Sequence, residues 1–144
     1  MKKLFLIIAV ALSTILIACA NEQMINVEQL PAKAQSLIQT HFSAESVSYV
    51  LQERDGLSME YEVRFDSGSK VEFDSKGEIK KIDCDIRPVP TALIPEVVRD
   101  YVQTKFPNAI ITEWGKDERR WKAELGNGIE LKFNSKYEFV GIDD

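Results

Sequence analysis

The sequence predicts an α+β fold: a tandem repeat of one helix plus about four antiparallel strands, forming one continuous antiparallel sheet with two helices packed on one face. Three observations carry that prediction: a phrase written twice, hydrophobic spacing that switches within each copy from helical to alternating, and turn signals at short intervals. "VEFDSKGEIKKID" (71–83) returns as "LKFNSKYEFVGID" (131–143). At this shift of 60, Phe73, Ser75, Lys76, Glu78, Ile79, Ile82 and Asp83 fall on Phe133, Ser135, Lys136, Glu138, Phe139, Ile142 and Asp143. Upstream the shift is 64, with Leu30, Pro31, Leu37, Ile38, Gln39, Thr40 and Phe42 on Ile94, Pro95, Tyr101, Val102, Gln103, Thr104 and Phe106. Four residues have therefore been lost between the two matched stretches of the second copy.

The chain opens "MKKLFLIIAVALSTILIACA": two lysines, a weakly polar run from Leu4 to Ala18, and small residues around Cys19. That is the pattern of a secretory signal over residues 1–20. The run is shorter than the roughly 20 apolar residues a membrane-spanning helix needs. Two cleavages fit its end. Leu16-Ile17-Ala18-Cys19 resembles a bacterial lipobox, which makes Cys19 a lipidated N-terminus; Ala18-Cys19-Ala20 satisfies the small-x-small rule and leaves a soluble chain from Asn21. The expected location is the periplasm, either free or as an outer-membrane-anchored lipoprotein that touches a membrane only through Cys19.

Residues 21–144 suffice for one compact domain. Its expected parts are repeat 1 over about 27–86, a linker over about 87–93, and repeat 2 over about 94–144. Of 18 basic and 23 acidic residues, Lys2 and Lys3 lie in the leader, so the mature chain carries 16 against 23, a net charge near −7. Nucleic acid is a poor partner for such a chain, because affinity for it rests on basic side chains neutralising phosphates. Outside the leader Cys84 is alone and closes no internal bridge. Flanked by Asp83 and Asp85, it is expected to be a small strand residue with a poorly ionised thiol.

In each copy the opening segment has helical spacing. Leu30, Ala34, Leu37, Ile38 and Phe42 form one apolar stripe, and Ile94, Val98, Tyr101, Val102 and Phe106 repeat its offsets. Pro31 and Pro95 suit the first helical turn, and Pro107 helps end the second helix. The period then becomes two. Leu57, Met59, Tyr61, Val63 and Phe65 alternate with Ser58, Glu60, Glu62 and Arg64, while Trp121, Ala123 and Leu125 alternate with Lys122 and Glu124. "RDGL", "DSGS", "SKGE", "GKDERR", "GNG" and "SKYE" mark the turns. A unit of about 55 residues buries too little surface to be comfortable alone, whereas two copies can share a sheet whose apolar face both helices cover. "RPVPTALIP" is the stiff join between them.

The leader, the "LP…I…HF" and "IP…V…KFP" helices and the V-x-F-D-x-x-G-x-I-x-x-I-D strand pair resemble the β-lactamase-inhibitor-like, PepSY-like family of exported bacterial proteins, common in Bacteroides-type organisms. The resemblance runs from about Val27 to Asp144. It implies two PepSY-like repeats in a continuous sheet with helices on one side, the architecture of an inhibitor that docks through its open sheet face and hairpin loops. That inhibitor has a disulfide in each half, which this chain lacks, and no motif transfers its contact residues.

Chemistry-bearing constellations are few. His41 falls beside the apolar stripe, opposite Lys105 of the second copy, and reads as a solvated helix position. A Ser-His-Asp arrangement or a zinc site would need partners the sequence does not supply. Asp74-Ser75-Lys76-Gly77-Glu78 and Asp66-Ser67-Gly68 read as hairpin turns rather than calcium loops. No catalytic, cofactor or metal residue is assigned. The expected interaction face is the polar side of the sheet, where alternation gathers Glu60, Glu62, Arg64, Lys70, Glu72, Lys122, Glu124, Glu130 and Lys132. Trp114, with Tyr49 and Arg120, is expected to form a binding patch there. These features point to an exported, non-enzymatic module that binds a cell-envelope protein and modulates or inhibits an extracytoplasmic enzyme. A small-ligand or calcium-binding periplasmic protein is the alternative.

Overall fold

The computed structural model describes residues 21–143; the expected leader, including Cys19, and Asp144 lie outside the described residues. Strands β1 (Glu22–Ile25), β2 (Val47–Asp55), β3 (Ser58–Phe65), β4 (Lys70–Phe73), β5 (Ile79–Asp83), β6 (Ile111–Asp117), β7 (Arg120–Leu125), β8 (Glu130–Phe133) and β9 (Phe139–Asp143) join in chain order into one nine-stranded sheet. Every neighbouring pair is antiparallel. Helix α1 (Ala32–His41) precedes β2 and helix α2 (Glu96–Lys105) precedes β6. This is the expected α+β architecture. Among the described residues no helix is long and apolar enough to cross a membrane.

The duplication extends to hydrogen-bond register. Val63 pairs with Val71 as Ala123 pairs with Leu131, and Phe73 with Ile79 as Phe133 with Phe139. Bulges recur too, at Val47/Tyr49 and Ile111/Glu113, and again at Glu72/Phe73 and Lys132/Phe133. The four missing residues come out of one hairpin. Beyond Val50–Val63 the β2–β3 ladder runs to Asp55–Ser58, whereas beyond Trp114–Ala123 the β6–β7 ladder stops at Asp117–Arg120, two residues sooner on each strand. The turns are also shared. The Asp74 carboxylate accepts from the amides of Lys76 (2.8 Å) and Glu78 (2.9 Å), and the Asn134 amide oxygen accepts from Lys136 (2.9 Å) and Glu138 (3.0 Å). Asp and Asn side chains stabilise such turns by satisfying the exposed backbone donors. The hairpin reading of these acids holds.

One face of the sheet is dry. Ala34 and Ile38 of α1 and Val98 and Val102 of α2 are buried at matching offsets, together with Val50, Val63, Val71, Phe73, Ile82, Trp114, Ala123, Leu125, Leu131 and Phe133 from the strands. Phe42 stacks on Phe65 with ring centroids 5.1 Å apart, and Tyr101 meets Phe133 edge-on at 5.8 Å. The linker belongs to this core, since Val89 is buried and its amide donates to the Ile111 carbonyl at 2.8 Å. Arg87 fastens it to repeat 1 by donating to Glu45 (2.9 Å) and to the Ser69 hydroxyl (2.6 Å).

Three expectations need correction. Pro31 and Pro95 stand just before the first helical residue, with ψ of 140° and 139°, because each is the last extended residue rather than part of the first turn. Leu57 is fully exposed, since the alternating pattern runs past the end of the ladder into the turn between Asp55 and Ser58. An additional strand, β1, pairs with β2 and occupies for repeat 1 the place β5 occupies for repeat 2: Ile25 faces Val50 as Ile82 faces Trp114.

Candidate functional site

The uncovered face of the sheet carries two parallel rows of charge that cross all the strands of both repeats. In the first row Tyr49, Arg64, Lys70, Asp83, Glu113, Glu124, Glu130 and Asp143 are successive cross-strand partners from β2 to β9. In the second, Leu51, Glu62, Glu72, Lys81, Gly115, Lys122, Lys132 and Gly141 succeed one another in the same way. Both rows change sign at β5. Repeat 1 sets bases in the first row and acids in the second; repeat 2 reverses the order.

The sign reversal is locked by pairs between rows. Arg64 reaches Glu62 (2.8 Å) and Lys70 reaches Glu72 (2.9 Å) in repeat 1, while Lys81 reaches Glu113 (2.9 Å), Lys122 reaches Glu130 (2.9 Å) and Lys132 reaches Asp143 (2.6 Å) across the second half. Lys80, at the β5 bulge, pairs with Glu60. The titration equilibria follow this geometry. Burial lowers the Lys81 amine, but its hydrogen bond to Glu113 and the surrounding acids outweigh that and raise it. Hydrogen bonds to Glu130 and Asp117 raise Lys122, and the Lys132 ammonium lowers Asp143. Glu124 is the exception. Partial burial, then repulsion from its neighbours Glu113 and Glu130, pushes its carboxyl above the ordinary range, and among the described residues no cation lies within ion-pair distance of it.

All nine residues expected on the polar face stand there, alternating with buried or half-buried ones along each strand. Glu60 and Glu62 border an acidic groove completed by Glu22, Glu53 and Glu72. The expected patch of Trp114, Tyr49 and Arg120 does not form. Trp114 is 2% exposed on the helix-covered side, where Ile82 and Ala123 are its cross-strand partners and Trp121 stacks on it at 5.0 Å. Tyr49 does lie on the open face, at the end of the first row, but Arg120 is on β7, five strands away, or roughly 24 Å at the usual strand spacing. Proximity to a basic hairpin tip made Trp114 look superficial; carrying the shift of 64 into β6 aligns it with Val50 and so with the core.

The remaining candidates are structural. Cys84 is buried, and burial is the main cause that raises its thiol, with Glu45 and Asp83 adding to it against the Ser69 hydrogen bond and Arg87. His41 closes α1 half-buried. A wide cleft between the α2–β6 loop and the β7–β8 turn is lined by Phe106, Ile110, Thr112, Glu124, Leu125 and Asn127 among others. No group of three metal-ligating side chains gathers anywhere among the described residues, and nothing there indicates catalysis.

The family model described as "Putative beta-lactamase-inhibitor-like, PepSY-like" matches residues 59–141. No curated protein matches the chain. Among solved structures, a "putative periplasmic protein" from Bacteroides vulgatus superimposes with a TM-score of 0.83 at 34% identity, covering 88% of this chain and 99% of that one. A "putative calcium-regulated periplasmic protein" from Bacteroides thetaiotaomicron gives 0.81 at 39% identity, covering 85% and 97%. A second Bacteroides vulgatus protein, described as a "putative periplasmic protein of unknown function", gives 0.80 at 29%, covering 85% and 99%. With more than half its length inside the family model and the expected repeat visible in its register, the chain belongs to the β-lactamase-inhibitor-like, PepSY-like family.

Proposed function

We propose that this protein is an exported, non-enzymatic module that docks on a cell-envelope protein through the uncovered face of its sheet, restraining an extracytoplasmic enzyme. The observation that carries the reading is the pair of charge rows with opposite order in the two repeats. Such a pattern is matched in register only by a partner surface whose charges alternate in the complementary order, and ordered charge selects partners more than it adds affinity. The leader-like opening and the periplasmic descriptions of three similar proteins support export. Anchoring through Cys19 belongs to the same proposal: Cys19→Ser should move the protein from the membrane to the soluble fraction.

The docking surface is tested by capture from native envelope extract with wild type and with Lys122→Glu/Lys132→Glu, which makes both rows of repeat 2 acidic. A protein held by the wild type and released by the double variant is expected. Retention of nothing, or equal retention by both, overturns the reading.

A second reading, calcium binding, is favoured by the description of the 39% identical relative and by the acidic groove of Glu22, Glu53, Glu60, Glu62 and Glu72. Calcium takes six to eight oxygen ligands, so the groove would have to close around the ion. A ligand that binds only the folded chain raises its melting midpoint, and an unchanged midpoint at millimolar calcium removes this reading.

A further inference from the structure

We propose that the free edge of β9, with the apolar flank beside it, receives an antiparallel strand from a second protein, and that this strand carries a large aromatic side chain with a basic residue beside it. The site lies at the edge of the sheet and shares only Asp143 with the charged face. It follows from what the same chain does 60 residues earlier.

β5 and β9 are equivalent strands. The outer edge of β5 is taken by β6, with Asp83 opposite Glu113, Ile82 opposite Trp114 and Lys81 opposite Gly115. Trp114 is buried there and, with Lys33, Leu37 and Ile79, lines one cleft, while its cross-strand partner Ile82 is wholly buried. The counterparts in repeat 2 are Val97, Tyr101, Phe139 and Ile142. Among the described residues no strand lies beyond β9. Val97 is 58% and Ile142 51% exposed, and the half-buried rings of Tyr101 and Phe139 stack 4.6 Å apart between them.

The substitutions at this end run against self-protection. Edge strands are usually shielded by lysine or proline, and terminal repeats present a polar outer side. Here the internal strand has Lys80 and Lys81, while the edge strand has Val140 and Gly141 in their places, and the helix flank exchanges Lys33 for Val97. The end exposed to water is therefore the more apolar of the two. β-Strand addition suits it: main-chain hydrogen bonds to the edge supply affinity, and the flank supplies a seat for one alternate side chain.

Charge selects the occupant. The first row ends in five successive carboxylates, Asp83, Glu113, Glu124, Glu130 and Asp143. A strand repeating Glu113 opposite Asp143 would lengthen that run, whereas a basic residue there would end it. β9 itself, Phe139–Asp143, contains no basic residue to set opposite Asp143, so two-fold pairing with a second copy would not end the run. The partner is thus another protein.

The probe is a synthetic peptide copying residues 111–117 with Glu113→Lys, titrated into the ¹⁵N-labelled chain. Amide shifts confined to β9 and the exposed side of α2 are expected, with half-saturation below about 1 mM. At least about tenfold weakening is expected from Trp114→Ala in the peptide, and separately from Val97→Lys or Ile142→Lys in the protein, with circular dichroism unchanged. Arg64→Glu, on the charged face six strands away, should leave this binding intact, which separates its failure from failure of the charged-face reading. Absence of shifts at millimolar peptide, shifts elsewhere, or indifference to the tryptophan overturns the proposal. So does a concentration-dependent dimer dissolved by Ile142→Lys, which would give the edge to a second copy.

Discussion

Trp114 and Trp121 lie face to face beneath the helices, their ring centroids 5.0 Å apart and their planes within 9° of parallel. Tyr137 leans on both, at 6.2 and 5.7 Å, so repeat 2 sets a buried aromatic stack, not a surface patch, beside its seam with repeat 1, where Trp114 faces Ile82. Trp114→Ala should therefore cost about 3–5 kcal/mol in denaturant unfolding, the range for deleting a buried aromatic. A loss under about 0.5 kcal/mol, typical of a surface position, would contradict this placement.

Gly77 and Gly68 separate steric clash from backbone strain. Both have positive φ, 80° and 95°, but a Cβ on Gly77 would meet the Ala34 backbone nitrogen at 2.8 Å, while one on Gly68 meets nothing within 4 Å. Gly68→Ala should cost about 1 kcal/mol and Gly77→Ala about 2 kcal/mol more, because α1 must lift off its turn. Equal midpoints for the two variants would mean that α1 does not rest on the β4–β5 turn.

Glu124 sets a pH dependence. Its carboxyl is raised in the folded chain, so folding favours its protonated form; that stabilisation is present below the ordinary glutamate range and is lost as pH rises through the folded value. At pH 7 the cost of partly burying its charge and the repulsion from Glu113 and Glu130 remain. Glu124→Gln should stabilise by about 0.5 kcal/mol at pH 7, an advantage that shrinks toward pH 4. Urea midpoints of both proteins across that range read the difference; an advantage that grows on acidification would reverse the sign and refute the like-charge row.

Cys84 should behave as a core residue. Burial raises its thiol and shields it, so a thiol reagent should label the native chain at least about tenfold more slowly than the urea-unfolded chain. Equal rates would place it outside the core.

The sequence makes legible whatever repeats with a period. Ala34/Val98 and Ile38/Val102 sit where the helical offsets put them, and Glu62, Lys122 and Lys132 stand on the face that alternation assigns. β1 is hidden because four residues, Glu22–Ile25, show no alternation, and their pairing depends on a partner some thirty residues downstream. The charge rows are hidden for a related reason. Which acid faces which base depends on register, and register here turns on two bulges per repeat that no local residue pattern announces. The exposed flank of Val97 and Ile142 emerges only when the two repeats are compared in three dimensions, one end covered and the other open.

The central claim is that the repeats fold as one unit around a shared core. Both tryptophans, Trp114 and Trp121, lie in repeat 2, with Trp114 paired to Ile82 of repeat 1, so their fluorescence reports repeat 2 and its seam, whereas far-ultraviolet circular dichroism reports both halves. Val63→Ala, deep in repeat 1, should cost about 2 kcal/mol. It should move the fluorescence midpoint and the dichroism midpoint down together in a single transition. A fluorescence midpoint left in place while the dichroism splits in two would show that the halves fold separately.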